Sequence, residues 1–546
     1  MSRVLNQVLK ESKRPKEIVS NQGGIVFKAS DATKLERFLI LGSFGSFYAS
    51  ERDMSAESIK QAQGFVNLYP GAALSVLGKV MSGGLAYRRD PSLLVLAMLT
   101  MPTVPLDIRR AAVYLAEVNI ITGTDFLHWV DFRNTLSGGK WNRLSQGIIK
   151  NWFLNHRSLE LQAVKYDQRD GWTMRDALRI GHPHPGENVE RAGIIDWMAH
   201  PDKRGDAVFN KYRLLSAYRT LRMDAMVPEL AARVIREQSV PREAVPSELL
   251  AHAEVWDALL DNMPGQALLR NLGKLSSVGA LDNRVDEVVE KILKSASRQH
   301  PVAFLVAYQQ YGEGHGLKGK LSWVPNSKVL DALERAYVDA FEYLDVFPNV
   351  RPLIAVDVSG SMGSLCAGLN MSALEAEVCV LQVLLKQFPN AKVMSFSMRN
   401  SNPSRSAFSG SWWTRTDSSW DDLDWHVFTG KESRRDIFNS FRNLGNFMSG
   451  TDLTLPLRYA LEANDVDCSI VMTDNEHGDS HSVPELMRKL QHNKPEFRNV
   501  VVSFSNTNSS VADPNDPHQL DVVGMSADVP RVISDFLSGK MGGGRN

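Results

Sequence analysis

The stretch PLIAVDVSGS, Pro352 to Ser361, decides the fold. Five apolar residues run into Asp357, which with Ser359 and Ser361 sets a carboxylate and two hydroxyls at alternate positions, with Gly360 permitting a tight turn. The first part reads as a buried strand and the second as a loop at its carboxyl end. Three comparable runs follow: AKVMSFS (391–397), DCSIVMTD (467–474) and RNVVVSFS (498–505). Helical stretches separate them, SALEAEVCVLQVLLKQF (372–388), RRDIFNSFRNL (434–444), LPLRYALEAN (455–464) and VPELMRKLQH (483–492). Strands alternating with helices predict a doubly wound α/β sheet. Ligands of such sheets bind beyond the carboxyl ends of the strands. Asp357, Ser359 and Ser361 fall at one such end and Asp474 at another, while Thr451, in SGTDLTLPL before a helix, supplies a further oxygen. All five are hard donors, suited to Mg²⁺ or Mn²⁺ with room left for water or an incoming carboxylate.

Working outward, the grammar changes before Pro348. DATKLERFLILGSF (31–44), DPSLLVLAMLTM (90–101), LDIRRAAVYLAEV (106–118), SELLAHAEVWDALLDNM (247–263), VDEVVEKILKSAS (285–297) and SKVLDALERAYVDAFEYL (327–344) carry apolar residues at helical spacing. Asp31, Asp90 and Pro91 mark helix starts, and no period-two strand pattern is visible. The expectation is a multidomain chain: an all-α portion over 1–348 and an α/β domain over 349–546. Successive helices suit a HEAT-like array, with a generic helical domain as the alternative.

The 546 residues exceed what one core accommodates. The most apolar run (92–101) stops at Pro102 and Pro105, short of a membrane span, and residues 1–20 do not read as a signal peptide. Cys366, Cys379 and Cys468 have no metal-ligand spacing, which points to a reducing, cytoplasmic location. The net charge of zero is a sum of unlike parts. Residues 350–546 hold 18 basic against 23 acidic side chains, whereas 140–222 hold 15 against 9. The latter window can meet a polyanion even in a neutral chain. Within it, Thr173 and Asp176 form a capping-box-like start, and Arg175 and Arg179 lie four apart on the helix expected over 174–181. Lys165 and Arg169 share that spacing, which predicts one side of a preceding helix.

Several stretches resemble functional motifs without meeting their requirements. GEGHGLKGK (312–320) nearly forms a P-loop, but Leu321 replaces the magnesium-binding hydroxyl and a helix precedes it, so it reads as an inter-helix loop. DNEHGDSH (474–481) follows a strand, and apart from Asp474 its residues read as loop solvation. HPHP (182–185) is too stiff for a two-histidine metal site, leaving single use of His182 open. SGSWWTRTDSSWDDLDW (409–425) reads as an aromatic-packed hairpin or loop of the α/β domain.

DVSGS, GTD and TDNE together resemble the metal-ion-dependent adhesion site of von Willebrand factor A domains. The helical portion resembles the TROVE domain of the Ro RNA-binding autoantigen family. The likeness is carried by LQAVKYDQRDGWTMRDALRIGHPHP, KLERFLILGSFGSFY (34–48), EVWDALLDNMPGQALLRNLGKL (254–275) and GHGLKGKLSWVPNSKVLDALERAYVDAF (314–341). That resemblance implies a ring of HEAT-like repeats closed by the A domain, binding small noncoding Y-type RNA and misfolded RNA with single-stranded 3′ ends in RNA quality control. It places Lys165, Arg169 and His182 at RNA-contacting positions; Arg175 and Arg179 are added from helix spacing. It also implies a non-catalytic, monomeric protein with an exoribonuclease and an acidic protein ligand at the metal among its partners. The tryptophan-rich segment is not part of the family pattern. The alternative is a metal-dependent protein-interaction scaffold without RNA. Both expect a cytoplasmic protein with no membrane partner.

Overall fold

The computed structural model describes residues 17–42, 56–166, 168–169, 171–224, 226–316, 321–341, 345–364, 371–397, 424–442, 450–479, 481–513, 516–526 and 529–538. They divide into two compact units: residues 66–340, and a second that joins residues 1–65 to 341–546. The first described segment already belongs to the second unit. It forms β1 (Glu17–Val19), β2 (Ile25–Lys28) and the helix Asp31–Leu41, capped by the Ser30 hydroxyl, which accepts from the Thr33 N–H.

Residues 66–340 are helical, as the apolar spacing predicts. Many of the helices pack on the next or on the next but one. Pro70–Ser82 meets Asp90–Leu99 and Leu106–Asn119; the latter meets Arg143–Asn155, which in turn meets Met174–Gly181. Such stacking lets every amphipathic face find a neighbour, which is how helical arrays build a continuous core. The helix Asp90–Leu99 is apolar all round and is buried from Pro91 to Leu99. The most apolar run of the chain is therefore a core helix, and no helix among the described residues is long and apolar enough to cross a membrane. The strands β3 (Gln168–Arg169) and β4 (Trp172–Thr173) form a short antiparallel hairpin between two helices.

The second unit is the doubly wound α/β sheet expected, with an antiparallel edge. Its strands are β5 (Pro352–Asp357), β6 (Lys392–Phe396), β7 (Asp424–His426), β8 (Cys468–Thr473), β9 (Arg498–Ser503) and β11 (Gln519–Val523), in the order β11-β9-β8-β5-β6-β7. All neighbours run parallel except β7, which lies antiparallel to β6. β5 and β8 are buried at every residue, as central strands covered on both faces must be. Alternate residues, among them Leu353, Ala355, Met394, Phe396, Val471 and Val501, share a cluster with Leu457, Met487 and Leu490 of two helices and with Val26 and Phe27 of β2.

That last contact departs from the sequence reading, in which no strand precedes residue 345. β1 pairs with β2, and β2 pairs with β10 (Ser509–Ser510) in a separate three-stranded sheet. Strands of two to four residues are too short to write a period, and β10 lies at the far end of the chain from β2. The helix that follows is tied to the same unit by Arg37. Its guanidinium is wholly buried and donates to the Asp521 carboxylate at 2.5 Å, to Ser503 Oγ at 3.2 Å and to the carbonyls of Thr507 and Ser509 at 3.3 and 3.0 Å. Breaking such a buried pair costs about 3–5 kcal/mol, because an uncompensated charge is left behind.

Candidate metal centre and basic surface

Asp357 closes β5, and the loop after it turns back over the strand end. One carboxylate oxygen accepts from the Ser359 N–H at 3.0 Å and the other from Thr473 Oγ1 at 2.7 Å. Ser359 Oγ and Ser361 Oγ lie 3.2 Å apart, and Ser361 also bonds the Asp474 carboxylate. Asp474 follows β8, which pairs directly with β5. Its carboxylate accepts from the Glu476 N–H at 3.0 Å, and its carbonyl from Ser505 Oγ at 2.5 Å. Thr451 enters through the loop before the helix Thr454–Glu462, where its carbonyl accepts from the Gly478 N–H at 2.9 Å. Asp357, Ser359, Ser361 and Asp474 thus gather at one sheet edge through mutual bonds, and Thr451 joins the loop that Asp474 opens. Thr473 was not singled out from sequence, although the β5–β8 register carries it beside Asp357.

Asp357, Ser359, Thr451 and Asp474 are buried, with Ser361 half-buried. Burial and then the neighbouring Asp474 charge raise the Asp357 pKa, while hydrogen bonds from Ser359 and Thr473 oppose the shift. Burial raises Asp474 as well, against its bonds to Ser361 and the Glu476 main chain. Two buried carboxylates so close together favour a cation between them. Thr451 Oγ1 is buried without a hydrogen-bond partner, an oxygen free to serve as a ligand. The donor set therefore fits a hard divalent ion.

The first part of the loop, residues 474–477, is buried rather than solvated, contrary to the sequence reading. Asn475, Glu476 and His477 are buried. The β1–β2 turn covers them: Ser20 Oγ and the Gly24 N–H donate to the His477 carbonyl at 2.5 and 2.8 Å, and Asn21 donates to both Glu476 oxygens at 2.8 and 2.9 Å. Asn475 adopts a φ of 65°, which asparagine tolerates better than most residues. Its amide bonds Ser503 Oγ at 2.8 Å and the Val511 N–H at 3.1 Å. Asp452, His477 and Asp479 place candidate ligand atoms within 4.8 Å of one another. Those atoms are already committed, however. His477 accepts at Nδ1 from the Leu453 N–H and bonds the His481 carbonyl through Nε2; Asp452 holds Thr454 and Arg458; Asp479 holds His481. This group is a hydrogen-bond network within the loop.

In the helical unit, the capping box of Thr173 and Asp176 forms as expected, with both reciprocal bonds present. It starts the helix Met174–Gly181, on which Arg175 and Arg179 are exposed. Arg179 pairs only loosely with Asp176, at 3.7 Å. His182 ends that helix, exposed, with a φ of 44°. Lys165 is the last residue of the helix Leu159–Lys165, its ammonium 5.4 Å from the Tyr166 ring centre. The shared helix face expected of Lys165 and Arg169 is not found. Arg169 lies in β3 opposite Trp172, because the chain reverses at Gly171, whose φ of 84° suits glycine. The Arg169 side chain lies outside the described residues, as does the segment 409–423. Trp425, in edge strand β7, packs against Tyr459 at 4.8 Å.

Family models match the chain twice: a Ro60 vWA domain over residues 423–537 and a TROVE domain over 229–317. An RNA-binding protein RO60 of Deinococcus radiodurans is 32% identical over 562 residues, covering 98% of each chain. Another RNA-binding protein RO60, of Caenorhabditis elegans, is 27% identical over 96% of this chain and 90% of its own. The crystal structure of the Deinococcus radiodurans RO (RSR) protein superposes with a TM-score of 0.67 at 29% identity, covering 94% of this chain and all of that one.

Proposed function

The chain belongs to the Ro60 family, and from that premise we propose that it is a non-catalytic RNA-binding protein. In this reading it holds small noncoding RNA of the Y type and misfolded RNA with a free 3′ end, and it acts in RNA quality control in the cytoplasm. The observation that carries the reading is the match over nearly the full length to two relatives named as RNA-binding proteins. The exposed cations Arg175 and Arg179, with Lys165 and His182 on neighbouring elements, support it. They would neutralise phosphates, with the His182 ring stacking on a base or donating to a phosphate. Arg169 belongs to the same set. The A-type unit takes Mg²⁺ or Mn²⁺ through Asp357, Ser359, Ser361, Thr451 and Asp474, and the ion grips an acidic side chain of a protein partner, an exoribonuclease being the partner class in view.

Filter binding of the full-length protein to a structured RNA with a single-stranded 3′ tail tests the RNA site. The triple variant Lys165→Ala/Arg169→Ala/His182→Ala is expected to lose about tenfold or more in affinity and to show a shallower dependence on salt, because about two phosphate contacts are removed. Wild-type affinity in that variant would place the RNA elsewhere.

A further inference from the structure

In the helical unit, the helices Ala253–Asp261, Gly265–Ser277 and Pro301–Gly312 border a cleft of about 480 Å³, a size suited to one small molecule. Its aromatic wall is fixed in place. The Trp323 ring stacks on Tyr311 with centres 6.1 Å apart, and its Nε1 donates to the Tyr311 carbonyl at 2.9 Å. It also lies so close to Gly273 that an added Cβ would come within 2.6 Å of it. The buried Trp256 lines the cleft as well. Three cations share the lining, Arg242, Arg270 and Lys274, the last two four apart and so on one face of their helix. Arg242 and Arg270 are exposed and Lys274 is half-buried, within reach of a ligand arriving from solvent. No acidic residue is among the described residues that line the cleft, and none of the three cations forms an ion pair among the described residues. The carboxylates nearby are engaged elsewhere, since Asp257 and Asp261 both pair with Arg236 and Arg284. Two side-chain amides complete the polar lining. Asn271 donates to the Ala267 carbonyl at 2.8 Å, and Gln310 makes no hydrogen bond among the described residues.

We propose that this cleft binds a free nucleoside monophosphate, with the phosphate on Arg242, Arg270 and Lys274 and the base on the side of Trp256 and Trp323. Three unpaired cations around one space repel one another, and a phosphate dianion removes that repulsion. The two guanidinium groups can each take phosphate oxygens in pairs, with the ammonium adding a point charge. Aromatic walls favour a planar body, and the amides of Asn271 and Gln310 can both donate to and accept from the edge of a base. A bare anion would leave the aromatic wall and the amides without a role, and an apolar ligand would leave the three charges without one. None of these residues belongs to the metal centre or to the basic window 140–222, so the inference is independent of both.

The test is a calorimetric titration of the full-length protein with the four nucleoside 5′-monophosphates, their nucleosides and inorganic phosphate. At least one monophosphate is expected to bind at one site per chain. The matching nucleoside and inorganic phosphate should each bind about tenfold or more weakly, because each forgoes one side of the cleft. Arg270→Gln/Lys274→Gln should weaken nucleotide binding about tenfold or more at an unchanged melting temperature, since neither side chain has an ion-pair partner to lose. Arg242→Gln, on a separate turn of the chain, reads the same interaction if the double variant melts early. Gln310→Leu should alter the order of preference among the four bases. Failure of all four monophosphates to bind overturns the proposal, and so does wild-type affinity in both charge variants. Inorganic phosphate binding as tightly as the nucleotide would reduce the cleft to an anion site, and an unaltered base order in Gln310→Leu would remove the base from this wall. A single-stranded tetranucleotide that binds where no monophosphate does would make the cleft a reader of RNA and overturn the assignment to a free nucleotide.

Discussion

At the scale of single residues, side chains that the interior leaves little freedom give the sharpest consequences. His300 caps the helix Pro301–Gly312: its Nδ1 accepts from the Val302 N–H at 3.3 Å, and Nε2 approaches the Leu85 carbonyl at 3.4 Å. This arrangement needs a neutral ring with its proton on Nε2. Burial lowers the pKa to about 4, against an opposing bond to Leu85. Because the folded value lies below the ordinary 6.5, the unfolded chain takes up the proton first. Stability from this group is complete above pH 6.5, falls as the pH drops toward 4, and levels out below. Urea titrations between pH 7 and 4 should show a shallower decline for His300→Gln, whose amide can accept and donate in the same directions. Parallel curves for the two proteins would remove His300 from the account. The metal ligands show what is legible at this scale. Asp357, Ser359 and Ser361 announce themselves by alternate spacing, and Asp474 by its place at a strand end.

At the scale of elements, long apolar runs were readable and short strands were not. β5, β6, β8 and β9 each carry five or six residues of near-continuous burial, enough to separate them from the helices around them. β1, β2, β7 and β10 have two to four residues each and exist through their partners. The polar loop after β8 hides its burial in a different way. Polar loops usually face water, and nothing in DNEHGDSH reveals that a hairpin from far upstream lies over it. The hairpin depends on Gly24, where an added Cβ would come within 2.3 Å of the His477 ring and 2.6 Å of its carbonyl. Gly24→Ala is expected to destabilise the second unit by about 1–3 kcal/mol, as overpacking commonly does. The amides of Glu476 and His477 should then exchange faster with solvent. Unchanged exchange at those two positions would mean that the turn gives way without disturbing the loop.

For the whole molecule, the α/β unit is discontinuous in sequence, with the helical unit inserted into it. A fragment spanning 349–546 would lack β2, whose Val26 and Phe27 share the sheet's core cluster, and would leave Asp521 without Arg37. It should melt well below the same fragment supplied with residues 17–42, and a synthetic 17–42 peptide added in trans should bind it and restore much of the difference. Equal melting with and without the peptide would show that the first segment merely decorates the sheet.

Arg37 and Asp521 are 484 residues apart, and that separation sets a schedule for biosynthesis. At roughly 5–20 residues per second, Arg37 leaves the ribosome on the order of half a minute to a minute and a half before its partner is made. Through that interval Phe27, Leu35, Phe38 and Leu39, all buried in the finished protein, have no sheet to pack against. The helical unit, by contrast, is complete in sequence and rich in local contacts, and is free to fold early. The nascent chain therefore carries a folded helical body with a sticky leading end. The loop around Asp474 gains its cover only when synthesis is nearly over.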